Sequence, residues 1–222
     1  MLSIDIVSDV ICPWCFIGHK RLDQALESLP AHAGGIPPGS PGPLETKVTF
    51  HPFLLDPSIP PEGADLRARL RAKYGGDPEK MFANVEAAAR SAGIALDFAK
   101  VRRTPPTIPA HTLLRHALER GTQRALVDAF FRAYFLEGKD LGDVSVLAGV
   151  ASQHGFDAAE AARLATDETE LDATRAEAQE MVSRGIQGVP FFVFGGKVAV
   201  SGAQPPEVLR GAIAKALAQP AT

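Results

Sequence analysis

The chain contains two cysteines, Cys12 and Cys15, which are separated by Pro13 and Trp14. Thiols at this spacing can lie on one side of a helix start, within reach of a disulfide. Such a pair is used for thiol–disulfide exchange or as half of a zinc site, unless both thiols are only packed in a core. A structural zinc needs four ligands, but the sequence has no second cysteine pair and no close histidine pair. The residue types therefore favour redox chemistry and predict no metal site.

The residues around the pair predict a junction between a strand and a helix. Residues 2 to 7 alternate apolar and polar side chains, as a strand does, and residues 16 to 29 show helical periodicity. Pro13 suits the first turn of that helix because it has no N–H and a fixed φ. The helix dipole then favours the thiolate of Cys12, the expected nucleophile. Cys15 is expected deeper in the helix, protonated until it attacks the mixed disulfide on Cys12.

The rest of the chain predicts an interrupted α/β domain. A second strand is predicted at residues 47 to 55, after a loop at residues 31 to 43 that is rich in glycine and proline. Helical patterns then follow one another to about residue 185. The last residues return to a hairpin around Gly195 and Gly196 and a final helix. We expect a discontinuous domain of residues 1–55 and 186–222 and an all-helical insertion domain of residues 56–185.

Composition limits the classes of function. The 222 residues are 45% hydrophobic, which is enough for a full core, and the net charge is −3. No basic face suggests nucleic acid as a partner, and no apolar run is long enough to span a membrane. The first residues lack the basic and apolar regions of a signal peptide, so we expect a cytoplasmic protein. In that reducing compartment a close cysteine pair is more often catalytic than structural.

Several motifs together resemble one family. The segments SDVICPWC, GIQGVPFFVF and VSGAQPPEVL, with KYG, AHTL and AYFLEG in the insertion, are similar to DsbA-like thioredoxin-fold oxidoreductases of the FrnE type. That family is related to 2-hydroxychromene-2-carboxylate isomerases and kappa-class glutathione transferases. The resemblance implies a thioredoxin-like fold whose helical insertion covers the active site. It also implies that Pro190 is cis beside the cysteines, which leaves the backbone of Val189 available to an extended substrate.

The resemblance also assigns roles to supporting residues. The isomerase and transferase branches carry serine at the position of Cys12, so a cysteine there favours dithiol chemistry. The Pro-Trp dipeptide replaces the Pro-His of DsbA, so we expect a weaker oxidant. Trp14 either contacts substrate or packs half-buried. Asp9 either caps the helix, the favoured alternative, or accepts a proton. His111 either packs in the helical core, the favoured alternative, or faces the cleft.

These expectations define one leading function and two alternatives. The leading function is a thiol–disulfide oxidoreductase that exchanges disulfides with protein or small-molecule thiols, with no cofactor beyond a Cys12–Cys15 disulfide and with glutathione as a possible co-substrate. The first alternative is a glutathione-dependent isomerase or transferase acting on a polycyclic or polyketide-like substrate. The second is a redox-regulated binding or chaperone module. Neither nucleic acid nor a membrane is expected as a partner.

Overall fold

The two ends of the chain form one four-stranded sheet in the computed structural model, which describes residues 1–29 and 44–218. The strand order is β2-β1-β5-β6. Strand β1 runs parallel to β2 and antiparallel to β5, and β5 runs antiparallel to β6. The loop predicted at residues 31 to 43 lies outside the described residues. The strands are β1 (Leu2–Ser8), β2 (Thr46–Pro52), β5 (Phe191–Phe194) and β6 (Val198–Ser201).

The strand positions follow from the sequence pattern. Ile4 and Ile6 of β1 are buried at alternate positions, as the alternation in the sequence predicted. Gly195 and Gly196 both have positive φ, which suits a tight turn between β5 and β6. The predicted hairpin is therefore confirmed.

Helices α1 (Pro13–Glu27) and α9 (Pro206–Ala218) belong to the same unit as the sheet and contact one another. Helix α1 begins three residues before the apolar periodicity does, because Pro13 occupies its first turn as predicted. Helix α9 is the final helix that the sequence predicted after the hairpin. Together with the sheet, these two helices form the thioredoxin-like part of the fold.

The insertion between β2 and β5 is helical apart from one small ladder. Strands β3 (Ala64–Asp65) and β4 (Arg103–Thr104) pair antiparallel on either side of two helices. The prediction of an all-helical insertion is corrected in this one respect. The backbone segments before and after the two helices pair with each other through hydrogen bonds, which the side-chain pattern of the sequence does not indicate. The insertion helices are α2 (Leu66–Tyr74), α3 (Pro78–Ser91), α4 (Ile108–Glu119), α5 (Gln123–Phe135), α6 (Val144–Ala151), α7 (Ala158–Leu164) and α8 (Glu168–Ser183), with a 3₁₀ turn at Ser152–His154.

Helix α5 joins the insertion to the sheet. The ring of Phe131 stacks on Phe16 of α1 with centroids 5.1 Å apart. The side-chain amide of Gln123 donates to the carbonyl of Phe50 and its oxygen accepts from the Phe50 N–H, both at 2.9 Å. Since β2 is an edge strand, this side chain satisfies backbone groups that would otherwise lack a strand partner. The insertion is thereby fixed to the edge of the sheet.

Candidate active site

Cys12 is the N-cap residue of helix α1. Its backbone is extended, with φ −88° and ψ 113°, and its carbonyl accepts from the amides of Cys15 at 3.0 Å and Phe16 at 3.3 Å. The cap makes no side-chain hydrogen bond to the first turn, so its sulfur is free to contact other groups. That sulfur lies 3.9 Å from the carbonyl oxygen of Val189. The location at the positive end of the helix dipole is the one that the sequence predicted.

Cys15 lies inside the first turn of α1 and is 2% exposed. Burial raises the pKa of its thiol well above the ordinary value, and a hydrogen bond to Cys12 and the charge of Cys12 raise it further. Hydrogen bonds from the Ser8 hydroxyl and the Asp9 backbone amide lower the pKa in part. Both cysteines are free thiols in this structure. The surroundings therefore hold Cys15 in the protonated form that the sequence led us to expect.

The peptide bond between Val189 and Pro190 is cis, as the family resemblance implied. The Pro190 carbonyl accepts from Gly202 at 2.8 Å. Its ring lies against Gly18 of α1, where an added Cβ would approach the Pro190 Cγ to 2.9 Å. Helix α1 and the loop before β5 are thus in direct contact beside Cys12.

A largely apolar cavity of about 230 Å³ opens in front of Cys12. Cys12 lines it, together with Pro13, Trp14 and Val189, whereas Cys15 does not. Trp14 is 40% exposed, so it both borders the cavity and meets solvent. The insertion supplies much of the apolar wall, including Leu66, Leu70, Phe82, Val85, Phe98 and Phe135. The helical insertion therefore covers the active site, as the resemblance implied.

Charged residues border the same cavity. Arg69 donates two hydrogen bonds of 2.7 Å to the Asp56 carboxylate, and Lys73 donates at 2.8 Å to the Leu55 carbonyl. The Arg69 guanidinium lowers the pKa of Asp56 to about 2. Two cations and one carboxylate leave an excess positive charge at this wall. These residues were not among the predicted site residues, although the alternating basic residues of LRARLRAK indicated a charged helix face.

Asp9 does not cap helix α1, and that prediction is wrong. The cap is Cys12, three residues later. The Asp9 carboxylate is fully buried and accepts from the amides of Leu55 at 2.7 Å and Ile11 at 3.5 Å. Its Oδ1 also lies 3.3 Å from Nε2 of His111. Because Asp9 lies three residues ahead of the cap, its carboxylate reaches the amide of Ile11 before α1 and that of Leu55 after β2 instead of the first helical turn.

His111 and His19 have different surroundings. His111 is 4% exposed and does not line the cavity in front of Cys12. His19 lies on α1 with its side chain 3.8 Å from both Asp23 and Asp128. Burial lowers the pKa of His19.

Two kinds of feature are absent from residues 1–29 and 44–218. No helix there is long and apolar enough to cross a membrane. No group of three or more histidine, cysteine, aspartate or glutamate side chains there is arranged to hold a metal ion.

A sheet interrupted by helices, with a cysteine pair at a helix start and a cis proline opposite, defines the thioredoxin-fold class. The family model of the DSBA-like thioredoxin domain matches residues 3–214, so the chain belongs to that family. The narrower assignment to the FrnE type stays a prediction.

Three known proteins show how the chain compares. A probable DsbA oxidoreductase from Streptomyces coelicolor is 33% identical with a TM-score of 0.85, and the match covers 100% of this chain and 92% of that one. The cytosolic disulfide reductase DsbM from Pseudomonas aeruginosa, solved with GSH, is 17% identical with a TM-score of 0.61 over 94% and 96% of the two chains. The uncharacterized protein YwbO from Bacillus subtilis is 25% identical, with 96% of each chain covered.

Proposed function

We propose that this protein is a thiol–disulfide oxidoreductase in which Cys12 attacks the substrate disulfide and Cys15 resolves the mixed disulfide. The asymmetry of the two thiols carries the proposal. Cys12 lines the cavity where a substrate can enter, and Cys15 lies behind it with a raised pKa. A thiol that lines the cavity can capture a substrate sulfur, while a protonated thiol outside the cavity stays unreactive until the mixed disulfide has formed.

The reaction requires only the two sulfurs and the substrate. The Cys12 thiolate attacks one sulfur of the substrate disulfide, and the other sulfur leaves with the electron pair. The Cys15 thiolate then attacks Cys12, the mixed disulfide breaks, and the second substrate thiolate is released. The Val189 carbonyl, 3.9 Å from the Cys12 sulfur, is placed to contact the backbone of a bound substrate. No resident cofactor is needed, and glutathione or another thiol can return the disulfide to the dithiol.

Replacement of each cysteine in turn tests this order. We expect Cys12→Ser to abolish the protein's acceleration of insulin reduction by a thiol reductant. We expect Cys15→Ser to accumulate a mixed disulfide on Cys12 that intact-mass measurement detects. Activity unchanged in Cys12→Ser would refute the proposal, and a mixed disulfide trapped on Cys15 in the Cys12→Ser variant would reverse the assigned order.

The apolar cavity favours a second candidate, a glutathione-dependent isomerase or transferase. A concave space of about 230 Å³ with largely apolar walls suits a small molecule better than a folded protein. Turnover that survives Cys15→Ser, together with retention on immobilised glutathione, would support this candidate over disulfide exchange. Both candidates are proposed for the cytoplasm, where reduced thiols prevail.

A further inference from the structure

The second half of the proposed reaction needs a proton acceptor. Cys15 must become a thiolate before it can attack Cys12, but burial favours its thiol. The cavity in front of Cys12, called the substrate cavity below, offers no exit for this proton, because Cys15 does not line it. The proton has to leave on another side.

Ser8 and a second, smaller cavity offer a route for the proton that does not pass through the substrate cavity. Ser8 is the last residue of β1 and is 5% exposed, and its hydroxyl lowers the pKa of the Cys15 thiol in part. It also lines a cavity of about 20 Å³ that shares no lining residue with the substrate cavity. A space of this size holds one water molecule. Ser8 therefore acts on the Cys15 thiol and also borders a space that a water can occupy.

His111 lines the same small cavity. The Asp9 carboxylate, which already accepts two backbone amides, can only accept from the His111 Nε2 that lies 3.3 Å away. That contact places the ring hydrogen on Nε2 and leaves Nδ1 of the neutral imidazole as an acceptor. Asp9 thus orients His111 in the form that can take up a proton.

The other charged groups at this cavity are His51, Arg115 and Glu177. His51 has both ring nitrogens next to carboxylates, with Nε2 3.0 Å from Asp5 and Nδ1 3.6 Å from Glu177. Those contacts raise its pKa and favour the protonated ring, which cannot accept a proton. A guanidinium cannot accept one either, and the Glu177 carboxylate is already beside His51. His111 is the group left to act as the base.

We propose that His111, oriented by Asp9, accepts the proton of Cys15 through the Ser8 hydroxyl and one water in the small cavity. The Cys15 proton passes to Ser8, the Ser8 proton passes to the water, and a water proton passes to Nδ1 of His111. The electron pair left on Cys15 forms the bond to Cys12 as the bond from Cys12 to the substrate sulfur breaks. Asp9 is a positioning residue in this step. The proposal rests on the proposed function, since it concerns its second half.

Reaction with dithiobis(nitrobenzoic acid) separates the two halves. The reduced protein releases one coloured thiolate when Cys12 attacks and a second when Cys15 displaces the group bound to Cys12. We expect His111→Gln to leave the first release unchanged and to slow the second at least about tenfold near neutral pH. Without the base, the second release should keep rising about tenfold per pH unit up to about pH 9, whereas the native rate levels off.

Two further variants complete the test. Ser8→Ala removes the connecting hydroxyl with little change in volume and should slow the second release in the same way. His116→Gln is the matched control, because His116 lies on the same helix but outside this cavity. A second release of native rate and native pH profile in both His111→Gln and Ser8→Ala would overturn the proposal. If His111→Gln does not fold, Ser8→Ala decides alone. Absence of the second release from the native protein would instead refute the proposed function.

Discussion

The two cysteines differ in their surroundings although both are almost fully buried. The sulfur of Cys12 faces the substrate cavity and the carbonyl of Val189. Ser8 at the end of β1 acts on Cys15 instead, since its hydroxyl lowers the pKa of the Cys15 thiol in part. In the proposed reaction, the first position suits capture of a substrate and the second suits a thiol that keeps its proton. This difference arises because Cys12 is the cap of α1 and Cys15 is part of its first turn.

At the same scale, His51 gives the protein a stability that depends on pH. The hydrogen bond to Glu177 and then that to Asp5 raise the pKa of His51 above its ordinary value near 6.5. A group with a raised folded-state pKa stabilises the fold fully below its unfolded pKa and loses that contribution as the pH rises through the folded value. The contribution is therefore present below about pH 6.5 and declines at higher pH.

We expect His51→Gln to lower the free energy of unfolding by about 1 kcal/mol near pH 5.5 and by much less near pH 8.5. Urea titrations at both values would measure the difference. His154→Gln, at the end of the 3₁₀ turn, controls for the loss of an imidazole elsewhere. A loss that is equal at the two pH values would show that the charge of His51 does not contribute.

At the scale of elements, the contact between α1 and the loop before β5 determines how the Cys12 sulfur meets Val189. Gly18 allows this contact, because a Cβ there would approach Cγ of Pro190 to 2.9 Å and Cζ of Phe192 to 3.1 Å. Neither the proline ring nor the buried phenylalanine can move aside freely. The helix would have to shift away from the loop, and the cysteines would shift with it.

We expect Gly18→Ala to destabilise the protein by about 1–3 kcal/mol and to slow disulfide exchange, even though alanine is the better helix former. Gly211→Ala is the matched control, since Gly211 lies in α9 and an added Cβ has nothing within 4 Å. That change should instead stabilise by about 0.5–1 kcal/mol. Urea midpoints of the two variants compare the signs directly. Stabilisation by both would show that the contact with Pro190 tolerates a methyl group.

The elements illustrate what a sequence can predict here. The strand, Pro13 and the helix after it are local features, so periodicity and backbone chemistry placed Cys12 and Cys15 correctly. The pairing of Asp9 with His111 joins residues 102 positions apart, and no local pattern contains it. The walls of the substrate cavity likewise depend on where α2 and α3 pack, which the amphipathic pattern of a helix does not specify.

At the scale of the whole molecule, the insertion and the thioredoxin-like part share one continuous core. The buried cluster runs from Leu2 in β1 through the insertion helices to Ala216 in α9. Phe16 stands at the junction, stacked on Phe131 at 5.1 Å and on Phe135 at 6.0 Å. If either part exposed this surface, the other part would lose stability too, because burial of apolar area is the main favourable free-energy term in folding.

The protein should therefore unfold in a single cooperative transition. Fluorescence of Trp14, the one tryptophan of the chain, follows the active site, and far-ultraviolet circular dichroism follows mainly the insertion helices. We expect the two signals to give the same urea midpoint. Phe131→Ala should lower the free energy of unfolding by about 3–5 kcal/mol as measured by either signal. Val182→Ala, at a side chain that is 56% exposed, should change that free energy by no more than about 0.5 kcal/mol. Loss of helix at a lower urea concentration than the change at Trp14 would show instead that the insertion folds as a separate unit.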